Sequence, residues 1–330
     1  MYKISTPPHV NSKQTTQKIM RDVILSLFPA AFVALIMFGI NALIVLVTSI
    51  CACVFFEYIL SKYWLKTENS TTDLSAIVTG ILLAMNLPST LPIWMIFIGA
   101  FMAIAVTKMA FGGIGKNIFN PALVGRVFLF ISFPVQMTTW TKPHLLDFFN
   151  VDASTAATSL NILKHIETGM SQSEIANITS TLPSHWDMFF GYTGGCLGET
   201  SALAILIGFC YLLKNHIISW HIPVYYIGSF AFLMSITWLF TGSPEYNVLT
   251  HILSGGLMLG AVFMATDYTT SPMIKKGRII FAIGCGILTY IIRVFSAYPE
   301  GVSFAILIMN AFVPLIDKYC TQYVYGTRRR

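Results

Sequence analysis

Charge is what this chain has least of. Asp, Glu, Lys and Arg make up 10% of its 330 residues while apolar residues reach 55%, and soluble domains carry roughly 25% charged residues. That deficit excludes an ordinary soluble fold and points to an integral membrane protein. Cysteine is also sparse, with six in all. Cys51 and Cys53 are two apart and face different sides of a helix, so they cannot grip one ion together. The cysteines read as buried small hydrophobes, and no metal centre is expected. A cleavable secretory leader is not expected either. The first 22 residues are polar and include Pro7 and Pro8, and the apolar run after Asp22 is too long for a signal peptide.

What is present is a succession of apolar runs. The tract between Asp22 and Glu57 carries no charge. As one helix it would reach about 50 Å, against a hydrocarbon core of about 30 Å, so a hairpin is expected near Gly39-Ile40-Asn41. Eight further runs follow at 74–87, 93–106, 121–133, 200–213, 222–240, 251–265, 279–292 and 302–316. The expected fold class is an all-α integral membrane protein of about ten transmembrane helices. Several runs are short, which admits broken or tilted helices.

Ten spans divide the Lys and Arg residues into two sets. With the N-terminus inside, 17 of the 20, Lys108 and Arg126 among them, fall on the inner side, and only Lys142, Lys164 and Arg293 fall outside. Cytoplasmic loops hold such an excess, so both termini are expected in the cytoplasm. The net charge of +6 then needs no nucleic acid to explain it, and the Arg328-Arg329-Arg330 tail reads as an anchor to the lipid surface. Five regions follow: a cytoplasmic segment 1–22, a first five-helix half 23–133, an extracytoplasmic interval 134–198, a second five-helix half 199–318 and a basic cytoplasmic tail 319–330.

Short echoes link the two halves. Thr79-Gly80-Ile81-Leu82-Leu83 is answered by Ser254-Gly255-Gly256-Leu257-Met258, and Lys108-Met109-Ala110-Phe111 by Arg293-Val294-Phe295. Each of the latter leads through a Gly-containing turn to an Asn-bearing helix, with Asn120 in one and Asn310 in the other. Two five-span halves must run in opposite senses, the inverted-repeat plan of many transporters. The loop Phe111-Gly112-Gly113-Ile114-Gly115-Lys116-Asn117-Ile118-Phe119-Asn120-Pro121 permits positive φ and could attract a phosphate at Lys116, but no Lys-Ser/Thr pair follows at P-loop spacing. A tight turn feeding the proline start of a helix is the plainer reading. His251 has no second histidine placed opposite it, so haem ligation is not expected.

The outer interval holds Asp152-Ala153-Ser154-Thr155-Ala156-Ala157-Thr158-Ser159-Leu160, with one carboxylate and four hydroxyls among small residues. The alanines leave room for a large group on a hydroxyl, and Asp152 could orient it or hold a metal during attachment. Alternatively, Asp152 caps a helix.

The chain resembles the D subunit of the Rnf ion-translocating electron-transport complexes. The resemblance rests on Gly112 to Ala122, Ser132 to Thr138, Gly198-Glu199-Thr200-Ser201-Ala202-Leu203-Ala204, His251 to Gly255, Thr266-Asp267 and Tyr298 to Ala305, in family order over nearly the whole chain. The B subunit of sodium-pumping NADH:quinone oxidoreductases is related but carries a longer N-terminal extension. The resemblance implies FMN joined through its phosphate to a threonine in an Asp-x-x-Ser/Thr-x-Ala-Thr pattern. Here that pattern falls on Asp152, Thr155, Ala157 and Thr158, with Thr158 as the attachment residue. Ala156 stands where related motifs often have Gly.

The resemblance further implies electron relay between ferredoxin and NAD coupled to translocation of Na+ or H+, and a place in the bacterial inner membrane. The A, B, C, E and G subunits are the expected partners, and a non-covalent riboflavin is expected without assigned residues. For the ion, the sequence offers Glu199 at an outer span end, Asp267 at an inner one and Asn120 near the junction of the halves; acids at span ends also serve as helix-dipole caps. A redox-silent permease like urea and ammonium channels, or a passive scaffold for other carriers, are the competing classes. The long interval 134–198 argues against a simple channel.

Overall fold

A computed structural model describes residues 15–66, 70–143, 155–164, 179, 181–296, 298 and 300–320. Asp152 lies outside the described residues.

Helix is nearly the only regular structure there. The first helical tract, Thr16–Leu60, contains one non-helical residue, Gly39, at φ 59° and ψ −141°. The chain doubles back at that point. Met20 lines a cavity together with Lys108, and Lys108 contacts Glu57 at 2.6 Å, whereas a straight helix would hold Met20 and Glu57 about 55 Å apart. Only glycine takes that backbone conformation without strain, so the expected hairpin and its pivot are both present.

Helix occupies each remaining apolar run: Ser75–Met85, Ile93–Phe101 continuing as a π-helix over Met102–Met109, Pro121–Ser132, Ala202–Lys214, His221–Thr241, Lys275–Phe295 and Val302–Tyr319. The run at 251–265 is broken. Val248–Leu253 stops at Ser254, Gly255 adopts φ 70°, and helix resumes at Leu257–Leu259 and passes into the π-helical turn Gly260–Met264. Four of the described helices are at least 18 residues long and apolar enough to cross a membrane.

The packing is that of a protein with an apolar solvent. Leu27, Leu83, Ile96, Leu123, Phe230 and Phe281 are fully enclosed, yet Phe28, Phe232 and Phe240 are 65%, 66% and 88% exposed. Apolar residues both inside and around the rim leave no polar belt on these helices, as lipid contact requires. In the outer interval, Trp140–Thr141 pairs antiparallel with Thr155–Ala156, setting Thr155 opposite Thr141, and a short helix follows at Ser159–Lys164.

Three of the cations sorted above into loops are buried instead. Lys108, Arg126 and Arg293 are 2%, 4% and 4% exposed, each inside a helix and each hydrogen-bonded to protein groups, although the buried Nε of Arg293 has no partner among the described residues. A buried ammonium or guanidinium survives only with such partners, so these residues are internal fittings and carry no information on sidedness.

Candidate functional site

The Pro121–Ser132 helix organises two polar sites. Its start follows from sequence: Pro121 occupies the first turn, where no N–H is needed, and the Asn120 side chain accepts from the N–H groups of Ala122 at 3.1 Å and Leu123 at 3.4 Å. Arg126 lies six residues on, about 9 Å along the axis.

At the Arg126 level, the guanidinium donates from Nη1 to Asn86 Oδ1 at 2.8 Å and from Nη2 to Glu300 Oε2, with Glu199 Oε1 at 3.5 Å and Cys196 Sγ at 3.6 Å. Glu199 is locked in turn by the Cys196 N–H at 3.4 Å, and the Cys196 thiol donates to the Asn86 carbonyl at 3.3 Å. Ligand atoms of Cys196, Glu199 and Glu300 lie within 4.8 Å of one another, and the cation facing all three is Arg126. The two carboxylates face the Arg126 guanidinium directly, and the Arg293 guanidinium lies close enough to interact with both. The cluster joins the first half, through Asn86 and Arg126, to the second, through Glu199 and Glu300.

Thr158 sits against this cluster. It is buried, and it shares a water-sized cavity of about 10 Å³ with Glu199, Glu300, Ser254 and Gly255. Its Oγ1 accepts from the Asn161 N–H at 3.2 Å, capping the short helix after it. That helix is tied down at its far end, where Lys164 Nζ donates to the carbonyls of Ser296 and of Tyr298, the latter at 2.9 Å. Burial pushes the Lys164 ammonium below its ordinary pKa. Leu160 packs on the break in the 251–265 run: a Cβ on Gly255 would lie 2.7 Å from Leu160 Cδ1 and 2.9 Å from Arg293 Nη2. Arg293 caps the broken helix by donating to the carbonyls of His251 at 2.6 Å and Ser254 at 3.2 Å, with its guanidinium 5.1 Å from the Phe230 ring centre.

The other site lies at the Asn120 end, where a cavity of about 90 Å³ is lined by Lys108, Asn120, Asp267, Thr79 and Val23 among others. Asn120 Nδ2 donates to the Met264 carbonyl at 3.2 Å. The Asp267 carboxylate accepts from the hydroxyls of Thr269 at 2.9 Å and Thr270 at 3.2 Å; burial raises its pKa against these donors. Lys108 Nζ bridges Glu57 at 2.6 Å and Ser75 Oγ at 2.7 Å. The two echo asparagines meet here. With the Asn310 amide turned to satisfy both its ends, its oxygen accepts from the Asn120 N–H at 3.3 Å and its nitrogen donates to Thr270 O at 3.1 Å. Gly112, Gly113 and Gly115 all take positive φ, as the glycine loop requires, and Asn117 Nδ2 reaches Thr269 Oγ1 at 2.9 Å.

The structure therefore brings Thr158 beside Glu199 and Asn120 beside Asp267, in separate places. Ala157 is exposed next to Thr158, and Thr155 lies in the strand pair. Sequence reasoning missed Glu300 beside Thr158, the Arg126, Asn86 and Cys196 groups that hold Glu199 and Glu300, and Glu57 as the partner of Lys108. For Arg126 the available signal was a charge inside an apolar run, which in hydrocarbon demands a partner.

These features define a class: a polytopic helical membrane protein with a broken helix and buried ion pairs between distant parts of the chain. The profile of the NQR2, RnfD, RnfE family matches residues 3–326, and the chain belongs to that family. It is 44% identical to the D subunit of the proton-translocating ferredoxin:NAD(+) oxidoreductase complex of Clostridium ljungdahlii, covering 100% of this chain and 97% of the relative. It is 43% identical to the D subunit of the Na(+)-translocating ferredoxin:NAD(+) oxidoreductase complex of Acetobacterium woodii, covering 99% and 96%. Against the D subunit of the ion-translocating oxidoreductase complex of Escherichia coli the identity is 35%, covering 100% and 99%.

Proposed function

We propose that the chain is the D-type membrane component of an Rnf complex, relaying electrons between ferredoxin and NAD through FMN held on Thr158 and taking part in the coupled movement of Na+ or H+. Full-length similarity to the D subunits of such complexes supports the complex. The observation that carries the flavin assignment is the place of Thr158, docked against buried carboxylates where the two halves join.

The residues fit a phosphodiester at Thr158. Among the described residues its oxygen is used once, as an acceptor from Asn161, and Ala157 beside it is exposed. The cavity shared with Glu199 and Glu300 is only about 10 Å³, too small for a phosphate, so the phosphate belongs on the exposed Ala157 side. Asn161 and Lys164 fix the segment that would carry it. Bound FMN supplies the electron transfer, and the protein sets its position and potential.

In this reading the termini are cytoplasmic, the interval 134–198 is extracytoplasmic, and the helices form a five-plus-five inverted repeat in the bacterial inner membrane. Partners are the A, B, C, E and G subunits, and a riboflavin is held without a covalent bond. Glu199, Asp267 and Asn120 are the proposed ion-path groups. Glu199 and Asn120 are buried and Asp267 is half-buried, in polar sites spaced along one helix, which supports that role.

In-gel fluorescence of denatured protein tests the flavin assignment. Wild type is expected to fluoresce and Thr158→Val to be dark; a dark wild type or an equally bright variant would overturn it.

A further inference from the structure

A second large cavity, of about 600 Å³, lies between the loop that follows Ala202–Lys214 and the start of Lys275–Phe295. Its chemistry is one-sided. Arg278, His216, His221 and the hydroxyl residues Ser219 and Ser271 line it, and none of its described lining residues is acidic. The nearest carboxylate in sequence, Asp267, is engaged with the hydroxyls of Thr269 and Thr270.

Arg278 is fixed in place. Its Nε donates to the Pro272 carbonyl at 3.0 Å and its Nη1 to Ser219 Oγ at 3.2 Å, which leaves Nη2 without a protein acceptor among the described residues. His221 Nδ1 is buried with no hydrogen-bond partner. The first turn of Lys275–Phe295 holds no acid of its own and begins with Lys275 and Lys276, so cations sit on the positive end of a 21-residue helix dipole. The Asp317 carboxylate offsets part of this on the Gly277 side, where a Cβ would lie 3.7 Å from its Oδ1, while the Arg278 side facing the cavity stays open to an anion. Sorting of basic residues to one membrane face accounts for the exposed Lys275 and Lys276. It does not account for a guanidinium pinned by two loops with a free edge.

We propose that this cavity binds the phosphate of an anionic phospholipid head group, with Arg278 as its anchor. Basic pockets between membrane helices hold such head groups. The surroundings favour a lipid over free phosphate. Trp220 is half exposed and stacked on His221, with ring centres 4.2 Å apart, as aromatic side chains at a membrane interface are. Just beyond the polar rim, Val224 and Ile280 are each 50% exposed, an apolar track along two adjacent helices for acyl chains.

The test uses the full chain within its purified complex, reconstituted in nanodiscs of phosphatidylcholine with or without phosphatidylglycerol. Retained lipid is then counted by mass spectrometry after stepwise delipidation. Wild type is expected to retain phosphatidylglycerol selectively, and Arg278→Gln to retain about tenfold less, the worth of a charge-assisted hydrogen bond. Arg278→Lys is expected to lose less, and Lys275→Gln to match wild type. If Arg278→Gln fails to assemble, Ser219→Ala, which removes one fixing contact, is expected to lower retention in the same direction. Equal retention by wild type and the Arg278 or Ser219 variants overturns the proposal, as does equal retention of phosphatidylcholine. A separate arm measures inorganic phosphate binding in lipid-free micelles. Arg278-dependent phosphate binding without preference for phosphatidylglycerol makes the cavity a free-anion site and overturns the lipid assignment.

Discussion

Arg126 Nη2 and Glu199 Oε1 stand 3.5 Å apart, with both side chains 5% exposed. Charge sorting put the first on the inner side of the membrane and the second at an outer span end, and they touch. Arg126 belongs to the middle of its helix and faces the cluster beside Thr158. Truncating one member of a buried ion pair leaves an uncompensated charge, at about 3–5 kcal/mol. Arg126→Gln is therefore expected to unfold that much more easily in denaturant titrations of the solubilised complex. Adding Glu300→Gln is expected to restore part of the loss, and a strictly additive double variant would contradict the shared cluster.

Lys108 and Glu57 pose the same question at the other end of the Pro121–Ser132 helix. Their contact is 2.6 Å, with the two side chains 3% and 0% exposed. Lys108→Met is expected to destabilise by about 3–5 kcal/mol, and Lys108→Met with Glu57→Gln by clearly less, since no buried charge is then left alone. Thermal unfolding of the four species of the cycle measures the coupling.

Gly255 is expected to tolerate no side chain. Its φ of 70° already disfavours one, and a Cβ there would collide with Leu160 and Arg293. Gly255→Ala is expected to cost about 1–3 kcal/mol and to loosen the Leu160 contact. Faster proteolysis between residues 155 and 164 in the variant than in wild type is the readout, and an unchanged rate would contradict the docking described.

Asp267 makes a pH prediction. Its folded pKa is raised above the ordinary 3.8, chiefly by burial, so the folded state favours the neutral acid. Stability from this group is fully present below its unfolded value and is lost as pH rises through the raised folded value. The difference in Tm between wild type and Asp267→Asn is therefore expected to move against wild type as pH rises from about 4. A difference that moves toward wild type would contradict the burial.

Much of the architecture was legible because hydrocarbon imposes length. The uncharged tract to Glu57 is too long for one crossing and contains one residue suited to a reversal, Gly39. The echo of Asn120 and Asn310 was legible as pattern, and the two residues hydrogen-bond. The break at Ser254-Gly255-Gly256 was not. Its flanks, Leu253 and Leu257, are as apolar as a continuous helix would be, and the carbonyls it frees are satisfied by Arg293, some forty positions on. The cluster at Thr158 was half legible: the motif singles out the hydroxyl, but the carboxylates beside it come from 199 and 300 and their partners from 86, 126 and 196, a juxtaposition that exists only after folding.

The central claim is that one hydroxyl among the four of the small-residue segment carries flavin. Tandem mass spectrometry of the proteolytic peptide containing Ser154, Thr155, Thr158 and Ser159, from wild type purified in its complex, tests it most directly. The account predicts an FMN phosphodiester on Thr158 and on no other residue of that peptide. Flavin on Thr155, Ser154 or Ser159, or an unmodified peptide, would contradict it.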